Sequence, residues 1–461
     1  MRSFALKNLA AATLMVISLA VAPPPARATV NGDPVAEHGR ALIFGTRFEL
    51  EAAIEALTAR GNTDMVATLI LASRYRSQAT PALSAALTTL TGHQAKDWFD
   101  WMLWQEGHPE IEPHPSYAEL KLDIFERIDP RFLQFFPDAA TLDAMQIRLE
   151  EITWGGVRVD GIPSLDNPKL IAAGEAEYLL EDDLVFGVEI NGDARAYPLR
   201  IMGWHEMFNE VIGGVPVALA YCTLCGAGIL FETQVEGRDG PFVFGSSGFL
   251  YRSNKLMFDR QTNSLWNQFT GQPVVGSLVS SGITLKIRPV AITSWAKWRA
   301  AHPETRVLSL DTGHRRDYGS GVVYQEYFAS EDLMFPARVD ETLFRQKSYV
   351  FGIRDVGAAK AWPLEAFEGG AVINDAIGQR ELVLIGDAAT RTVRAYERRG
   401  RRFEAAADGT LISDGEQWWI GEEALNGPGG ERLPRVPGHI AYWFAWNGYL
   451  GAESEIYGPK N

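Results

Sequence analysis

The sequence predicts an α+β protein in which a helical N-terminal domain precedes a β-rich module built from two related halves. Two observations predict this. From about residue 40 to residue 136, apolar residues recur at three- and four-residue spacing, the period of amphipathic helices. Beyond residue 152, short β-type runs bounded by glycine turns take over, and this pattern recurs later in the chain. The predicted segments are a signal peptide (1–28), the helical domain (29–150), the first half (151–347) and the second half (348–461).

The first residues have the pattern of a secretory signal peptide. Arg2 and Lys7 precede an apolar run over roughly Leu9–Ala22, and Ala26-Arg27-Ala28 supplies small residues for cleavage. We therefore expect cleavage near Ala28 and a periplasmic or secreted protein. The apolar run is short for a bilayer, so no membrane span is expected. The net charge of −15 disfavours nucleic acid as a partner.

Within the helical domain, glycine and proline breaks separate several short amphipathic segments. The predicted helices are Phe48–Leu57, Met65–Tyr75, Ala82–Leu90 and Gln94–Trp104. The aromatic residues Trp98, Phe99, Trp101 and Trp104 suggest either a ligand groove or helix packing, and their helical spacing favours packing. We expect this domain to serve in docking or packing.

The β-rich module contains an internal repeat. Phe186–Leu199 aligns with Phe351–Leu364 at an offset of 165 residues, and the same register continues without a gap to Glu232 and Glu397. Glycine, proline and apolar positions stay in phase throughout, which indicates duplication of one structural unit. Features that both copies share are therefore expected to maintain the fold. Features found in one copy are better candidates for function.

The first copy begins with recognisable local elements. Asn191-Gly192 is a hairpin dipeptide between two short β runs. A short helix is predicted over Pro198–Val211, and it carries His205 and Glu206. Strands over Val215–Tyr221 and Gly228–Glu232 follow. They place the intervening C-x-x-C at a turn between strands, whereas thioredoxin-like enzymes carry this motif at a helix N-terminus.

Cys222 and Cys225 form this C-x-x-C and are the only cysteines in the chain. The second copy has Asp387 and Thr390 in their places. Three interpretations remain open: a redox pair, a soft-metal site for copper or zinc, or a structural turn with a local disulfide or two small buried residues. Covalent haem attachment is excluded because Gly226, not histidine, follows the second cysteine.

His205 is the third residue that the second copy lacks, since Gly370 occupies its position. We therefore predict that the His205 ring lies within hydrogen-bond or metal-ligand reach of the sulfurs. Cys222, Cys225 and His205 are the candidate catalytic residues and also the candidate metal ligands. Glu206 and Asn209 either support that site or lie on a solvated helix face, and the solvated face is favoured.

Further motifs run from Asp160-Gly-Ile-Pro163 through Asn191-Gly192, Trp204-His205-Glu206 and the cysteine pair to Asn254, Asp259-Arg260 and Ser264-Leu-Trp266. Asp259 and Arg260 are expected to form an ion pair, either beside the site or as a structural pair in a turn, and the structural pair is favoured. Together these motifs resemble the bacterial family called domain of unknown function 3179, over roughly Asp160 to Gly451. The resemblance implies an exported bacterial protein and no established activity. The family commonly has proline after the first cysteine, where this chain has Thr223.

The function predicted from these observations is that of an exported thiol-dependent protein, either a redox partner or a soft-metal binder. Its partner would be a protein or a small-molecule thiol or metal. The alternative is a non-catalytic periplasmic interaction module with structural cysteines. The sequence has no metalloprotease, P-loop, nucleophile-elbow or dinucleotide motif, so it assigns no enzyme class. A long segment at about Val307–Lys347 occurs only in the first copy and is either functional or a structural clasp.

Overall fold

The computed structural model describes residues 32–355, 357–450 and 453–458. The predicted signal peptide lies outside the described residues. The chain divides into two compact units. One comprises the residues up to Leu133 together with Leu149–Glu151, and the other comprises Gln134–Arg148 and everything from Ile152 onward.

The first unit is helical, as predicted. Its helices are α1 (Pro34–Phe44), α2 (Arg47–Arg60), α3 (Val66–Tyr75), α4 (Thr80–Thr91), α5 (Trp98–Glu106) and α6 (Ser116–Ile128). Helix α2 begins at a capping box in which Thr46 and Glu49 satisfy each other's backbone amides, and it ends at Gly61 in the left-handed conformation. Trp101 of α5 is buried, which fits the packing role predicted for this aromatic segment. No helix among the described residues has the length and apolar character needed to cross a bilayer.

The second unit begins with helix α7 (Ala139–Asp143) and continues into the first half of the β module. Its strands and helices are β1 (Ile152–Trp154), β2 (Leu165–Asp166), β3 (Leu170–Ala172), β4 (Leu184–Ile190), β5 (Asp193–Pro198), α8 (Leu199–His205), β6 (Met207–Ile212), β7 (Val215–Cys222), β8 (Ala227–Glu232), β9 (Phe244–Tyr251), β10 (Asn254–Asp259), β11 (Leu265–Asn267), β12 (Gln272–Val275), β13 (Ile287–Arg288), β14 (Ala291–Ser294), α9 (Trp295–Ala301), β15 (Arg306–Leu308) and α10 (Gln325–Ala329).

The second half follows the same plan. It contains β16 (Tyr349–Asp355), β17 (Ala358–Pro363), β18 (Ala371–Ile377), β19 (Arg380–Asp387), β20 (Thr392–Glu397), β21 (Glu404–Ala405), β22 (Leu411–Ser413), β23 (Glu416–Ile420), β24 (Ala424–Asn426), β25 (Arg432–Val436), β26 (His439–Tyr442), α11 (Trp443–Leu450) and β27 (Ser454–Ile456).

Sheet topology confirms that the two halves are related. The first half has a sheet in the order β14-β4-β5-β15-β3, and the second has β26-β16-β17-β27. In both, a central hairpin is flanked by one antiparallel strand and one parallel strand. A meander then follows in each half, β6-β7-β8 in the first and β18-β19-β20 in the second. The remaining sheet of the first half has the order β1-β9-β10-β11-β12, while the meander of the second half extends into an eight-stranded sheet.

Two details repeat at the level of single side chains. Asn209 on β6 brackets the backbone of Phe244 by donating to its carbonyl at 2.9 Å and accepting from its amide at 2.8 Å. Asn374 on β18 makes the same two hydrogen bonds with Phe403, both at 2.8 Å. The two asparagines thus occupy like elements, as the repeat register predicts.

Glycine is required where a tryptophan of the following helix crosses the central hairpin. A Cβ atom on Gly187 would lie 2.2 Å from the Trp298 ring, and one on Gly352 would lie 2.0 Å from the Trp446 ring. Both distances are far below van der Waals contact, so the close helix-to-sheet approach depends on glycine in each half. Both tryptophans are fully buried, and residues of both halves contribute to one large hydrophobic core.

Local turn chemistry follows the sequence. Asn191 and Gly192 both have positive φ, 51° and 79°, the conformation that a two-residue hairpin turn requires. The predicted helix over residues 198–211 is shorter than expected and ends at His205. Glu206 adopts φ 55°, which stops the helix, and the residues after it pair with β7 as strand β6. Asn209 therefore belongs to a strand, not to a helix face.

Candidate functional site

Strand pairing positions the two cysteines. Cys222 is the last residue of β7 and pairs with Ala227, the first residue of β8. The four residues between them form a tight turn, in which the Cys225 amide donates to the Cys222 carbonyl at 3.2 Å. Gly226 has φ 61°, which favours glycine at the return of the turn. The C-x-x-C therefore lies at a turn between strands, as predicted.

The two sulfurs lie 2.7 Å apart, and both cysteines are free thiols in this structure. The disulfide considered from the sequence is thus not formed here. A disulfide bond is about 2.05 Å long, so a small closure would join the two atoms. Both residues are enclosed: Cys222 is 2% exposed and Cys225 0%. Burial, together with the close Cys222 thiol, raises the pKa of the Cys225 thiol well above its ordinary value.

The turn after β9 supplies the neighbours of Cys225. Its sulfur lies 3.4 Å from Asn254 Oδ1 and 3.6 Å from the Ser253 carbonyl oxygen. Asn254 is fully buried, and its Nδ2 has no hydrogen-bond partner among the described residues. Asn254 Oδ1 also accepts from the Lys255 backbone amide at 2.7 Å, which fixes the orientation of the side-chain amide. In this orientation the amide oxygen accepts from a protonated Cys225 thiol.

A buried ion pair lies beside the turn. Glu206 accepts a hydrogen bond from the Thr223 hydroxyl at 2.7 Å through Oε1, and its Oε2 lies 2.9 Å from Lys255 Nζ. The Lys255 and Glu206 side chains are 5% and 8% exposed. The Glu206 charge raises the Cys225 pKa, and the Lys255 charge lowers it. The pair therefore places both signs of charge within electrostatic range of the dithiol.

The His205 ring makes its hydrogen bonds with residues other than the two cysteines. Its Nδ1 lies 2.9 Å from the Pro163 carbonyl oxygen and its Nε2 lies 2.6 Å from the Tyr318 hydroxyl, which also contacts Thr312 at 2.6 Å. A carbonyl only accepts, so Nδ1 carries the proton and Nε2 accepts from Tyr318. Burial lowers the pKa of His205 to about 4, which keeps the ring neutral. Both ring nitrogens are thus engaged away from the sulfurs.

The structure accordingly does not assemble Cys222, Cys225 and His205 into a three-ligand copper or zinc site. Among the described residues, no group of three or more histidine, cysteine, aspartate or glutamate side chains is arranged to hold a metal ion. The reason is the backbone turn at Glu206: it sends His205 toward Pro163 and Tyr318, and it sends the next side chain, Glu206, toward the cysteines. Of the residues singled out near the cysteines, Glu206 is the one placed beside them.

Two further expectations are corrected. Arg260 pairs with Asp160 at 2.8 Å, not with Asp259. Asp259 is buried and accepts from the Trp266 indole at 2.8 Å, so it has a structural role. Asn209 clamps the backbone of Phe244 as described above, also a structural role.

Sequence reasoning missed Lys255 and the tyrosines around the turn. Lys255 lies in a strand whose residues are all buried. A lysine in such a strand indicates a buried charge that needs a partner, and this pattern could have identified it. Tyr327 donates to the Leu224 carbonyl at 2.6 Å, and the Tyr442 amide donates to the Cys225 carbonyl at 2.8 Å. These contacts join positions more than 100 residues apart, which no local pattern indicates.

Fold and site together define a class: a duplicated β module that carries a buried dithiol at a strand turn of one half. A family model described as "Protein of unknown function (DUF3179)" matches residues 159–453. The match covers well over half of the chain, so the chain belongs to this family, and the resemblance noted in the sequence is confirmed. Comparison with curated proteins gave no significant match, and comparison with solved structures gave none either.

Proposed function

We propose that the protein is an exported thiol–disulfide redox protein whose reactive pair is Cys222 and Cys225. The observation that carries the proposal is the 2.7 Å approach of two free thiols at a strand turn. Their oxidation to a disulfide requires only local closure. Metal binding is the less favoured alternative, because within the described part of the chain no third histidine, cysteine, aspartate or glutamate joins the two sulfurs in a metal-binding group.

The two cysteines take different roles in this proposal. Cys222 is the attacking thiol, since it is 2% exposed whereas Cys225 is 0% exposed. Cys225 is the resolving thiol, since burial raises its pKa and keeps it protonated until Cys222 has reacted. Lys255 and Glu206 set the local charge, and the Asn254 amide oxygen, held by the Lys255 backbone amide, accepts from the protonated Cys225 thiol.

A second candidate is a non-catalytic interaction module with structural cysteines. One observation favours it: the equivalent turn in the second half also contacts the opposite half, through the ion pair of Asp387 with Lys297, and it has no cysteine. A turn of this kind can therefore serve in docking alone.

Redox titration separates the two candidates. The protein is equilibrated with glutathione buffers of graded potential and then alkylated, and the modified thiols are counted by mass spectrometry. A reversible two-electron transition that disappears in Cys222→Ser is expected. Thiols that stay in one state at every potential, together with a lowered melting temperature of a Cys222→Ser, Cys225→Ser double variant, would favour the module. Stoichiometric copper or zinc in the purified protein would favour the soft-metal alternative.

A further inference from the structure

The segment between β15 and β16 encloses the cysteine turn. We call residues 318–347 the cover. This segment connects the last strand of the first half to the first strand of the second half. Apolar side chains of the cover pack against the cluster that contains both cysteines; they are Tyr327, Leu333, Met334, Ala337, Val339 and Phe344.

Tyrosines attach the cover directly to the C-x-x-C. Tyr327 donates to the carbonyl of Leu224, which stands between the cysteines, at 2.6 Å. The Tyr324 hydroxyl interacts with the side chains of Thr223 and Glu206. Tyr324 itself has φ 55°, an uncommon conformation for a bulky residue that surrounding contacts must maintain.

Further contacts hold the cover along its length. Tyr318 bonds to His205 at 2.6 Å near the start. Ser253, in the turn beside Cys225, donates to the Pro336 carbonyl at 2.6 Å. Lys347 closes the cover on itself by donating to the Ser330 carbonyl at 2.7 Å, and its ammonium lies 5.3 Å from the centre of the Tyr442 ring, outside the cover. The cover is therefore attached near its start, over the turn and beside Cys225.

We infer that the cover restricts the dithiol to low-molecular-weight disulfides, with Tyr327 as the principal determinant; the inference rests on the proposed redox function. A disulfide within a protein substrate can reach Cys222 only if the backbone of that substrate also fits beside the cysteine turn. Here the carbonyls of Leu224 and Cys225 are already taken by Tyr327 and by the Tyr442 amide. A small disulfide needs only a brief displacement of one side of the cover to reach Cys222.

The reaction balances with a small disulfide RSSR as the oxidant. Cys222 Sγ, after losing its proton, attacks one sulfur, which forms a mixed disulfide and releases one RS⁻. Cys225 then loses its proton and attacks Cys222 Sγ, which forms the intramolecular disulfide and releases the second RS⁻. The two protons from the cysteines complete two RSH molecules. The dithiol has lost two electrons and the disulfide has gained them.

The test compares reagents of different size on the full-length reduced protein. Iodoacetamide and a maleimide carrying a large polyethylene glycol report access to the thiols without any redox step. Hydroxyethyl disulfide and oxidised thioredoxin report exchange. We expect iodoacetamide and hydroxyethyl disulfide to react and both large reagents to react at least about tenfold more slowly than they do with the unfolded chain.

Tyr327→Phe should accelerate iodoacetamide labelling about fivefold, the shift in opening that corresponds to one hydrogen bond of about 1 kcal/mol. Ser253→Ala removes the hydrogen bond to the Pro336 carbonyl and should also accelerate labelling. This second variant keeps the inference testable if Tyr327→Phe does not fold. Tyr396→Phe is the matched control, since its phenol also donates to a backbone carbonyl, that of Gly421 at 2.8 Å, in a separate cluster. Its labelling rate should stay unchanged.

The outcomes are distinct. Equal access of small and large reagents, or equal acceleration in Tyr396→Phe and Tyr327→Phe, overturns the inference. Faster exchange with oxidised thioredoxin than with hydroxyethyl disulfide also overturns it. If both disulfides leave the dithiol unchanged while labelling still discriminates by size, the redox proposal fails and the cover remains as a barrier to the thiols.

Discussion

Removal of either charge from the buried Lys255–Glu206 pair should destabilise the protein and shift thiol reactivity in opposite directions. The ion pair spans 2.9 Å, with side chains 5% and 8% exposed, so neither partner can be solvated once the other is neutralised. Breaking such a pair typically costs about 3–5 kcal/mol. We expect Lys255→Met and Glu206→Gln each to lower the free energy of unfolding by about 3 kcal/mol.

The double variant Lys255→Met, Glu206→Gln measures how strongly the two charges are coupled. With both charges removed, no buried charge is left unpaired, so its loss should fall short of the summed single losses by about 2 kcal/mol or more. Urea denaturation at pH 7 measures all three variants. Lys286→Met is the control, because Lys286 and Glu232 are also 2.9 Å apart but the lysine is 65% exposed. This control should lose less than about 1 kcal/mol.

The same variants test whether the pair acts on the dithiol. Loss of the Lys255 charge should raise the pKa of the Cys225 thiol, and loss of the Glu206 charge should lower it. The pH dependence of the alkylation rate measures both shifts. Additive stability losses together with identical pH profiles would refute this account of the pair.

Three other predictions concern the fold. The His205 pKa of about 4 lies below the ordinary 6.5, so the unfolded chain binds more protons between these values and stability should fall as pH drops through this window. His205→Gln should flatten this fall, measured by urea titrations, by about 3 kcal/mol. Gly352→Ala should cost about 3 kcal/mol through overlap with Trp446, whereas Gly174→Ala, which meets open space, should leave thermal melting unchanged. A chain that begins at Gln134, where the β-rich unit begins, should still melt cooperatively by circular dichroism, and a transition without cooperativity would show that the helices complete the β core.

Local signals predicted the fold well. Asn191-Gly192 adopts the expected hairpin turn because glycine and asparagine tolerate positive φ at little cost. The repeat register correctly paired Asn209 with Asn374, because a gapless duplication preserves the geometry of each element. These features depend on residues close in the chain or on internal comparison, so a single sequence contains the necessary information.

The sequence predicted the arrangement of the site less completely than it predicted the fold. The direction of His205 depends on the left-handed conformation of Glu206, which ends the helix and begins a strand. Nothing in the residue type of glutamate predicts that conformation, since tertiary pairing with β7 selects it. The Lys255 ion pair and the Tyr327 hydrogen bond join segments far apart in the chain. Such contacts follow from the assembled fold alone.

The two strand turns make reciprocal contacts across the halves. The turn of the first half lies against Tyr442, which precedes helix α11, and the turn of the second half pairs through Asp387 with Lys297 in the matching helix α9. Each turn therefore meets the other half where a strand passes into a tryptophan-bearing helix, an exchange of contacts like that across an isologous two-fold interface. The chemistry of the two contacts differs, since a main-chain hydrogen bond holds the first turn and an ion pair holds the second. Neither of these contacts uses a cysteine side chain, so the cysteines of the first turn are free for chemistry that the second turn does not share.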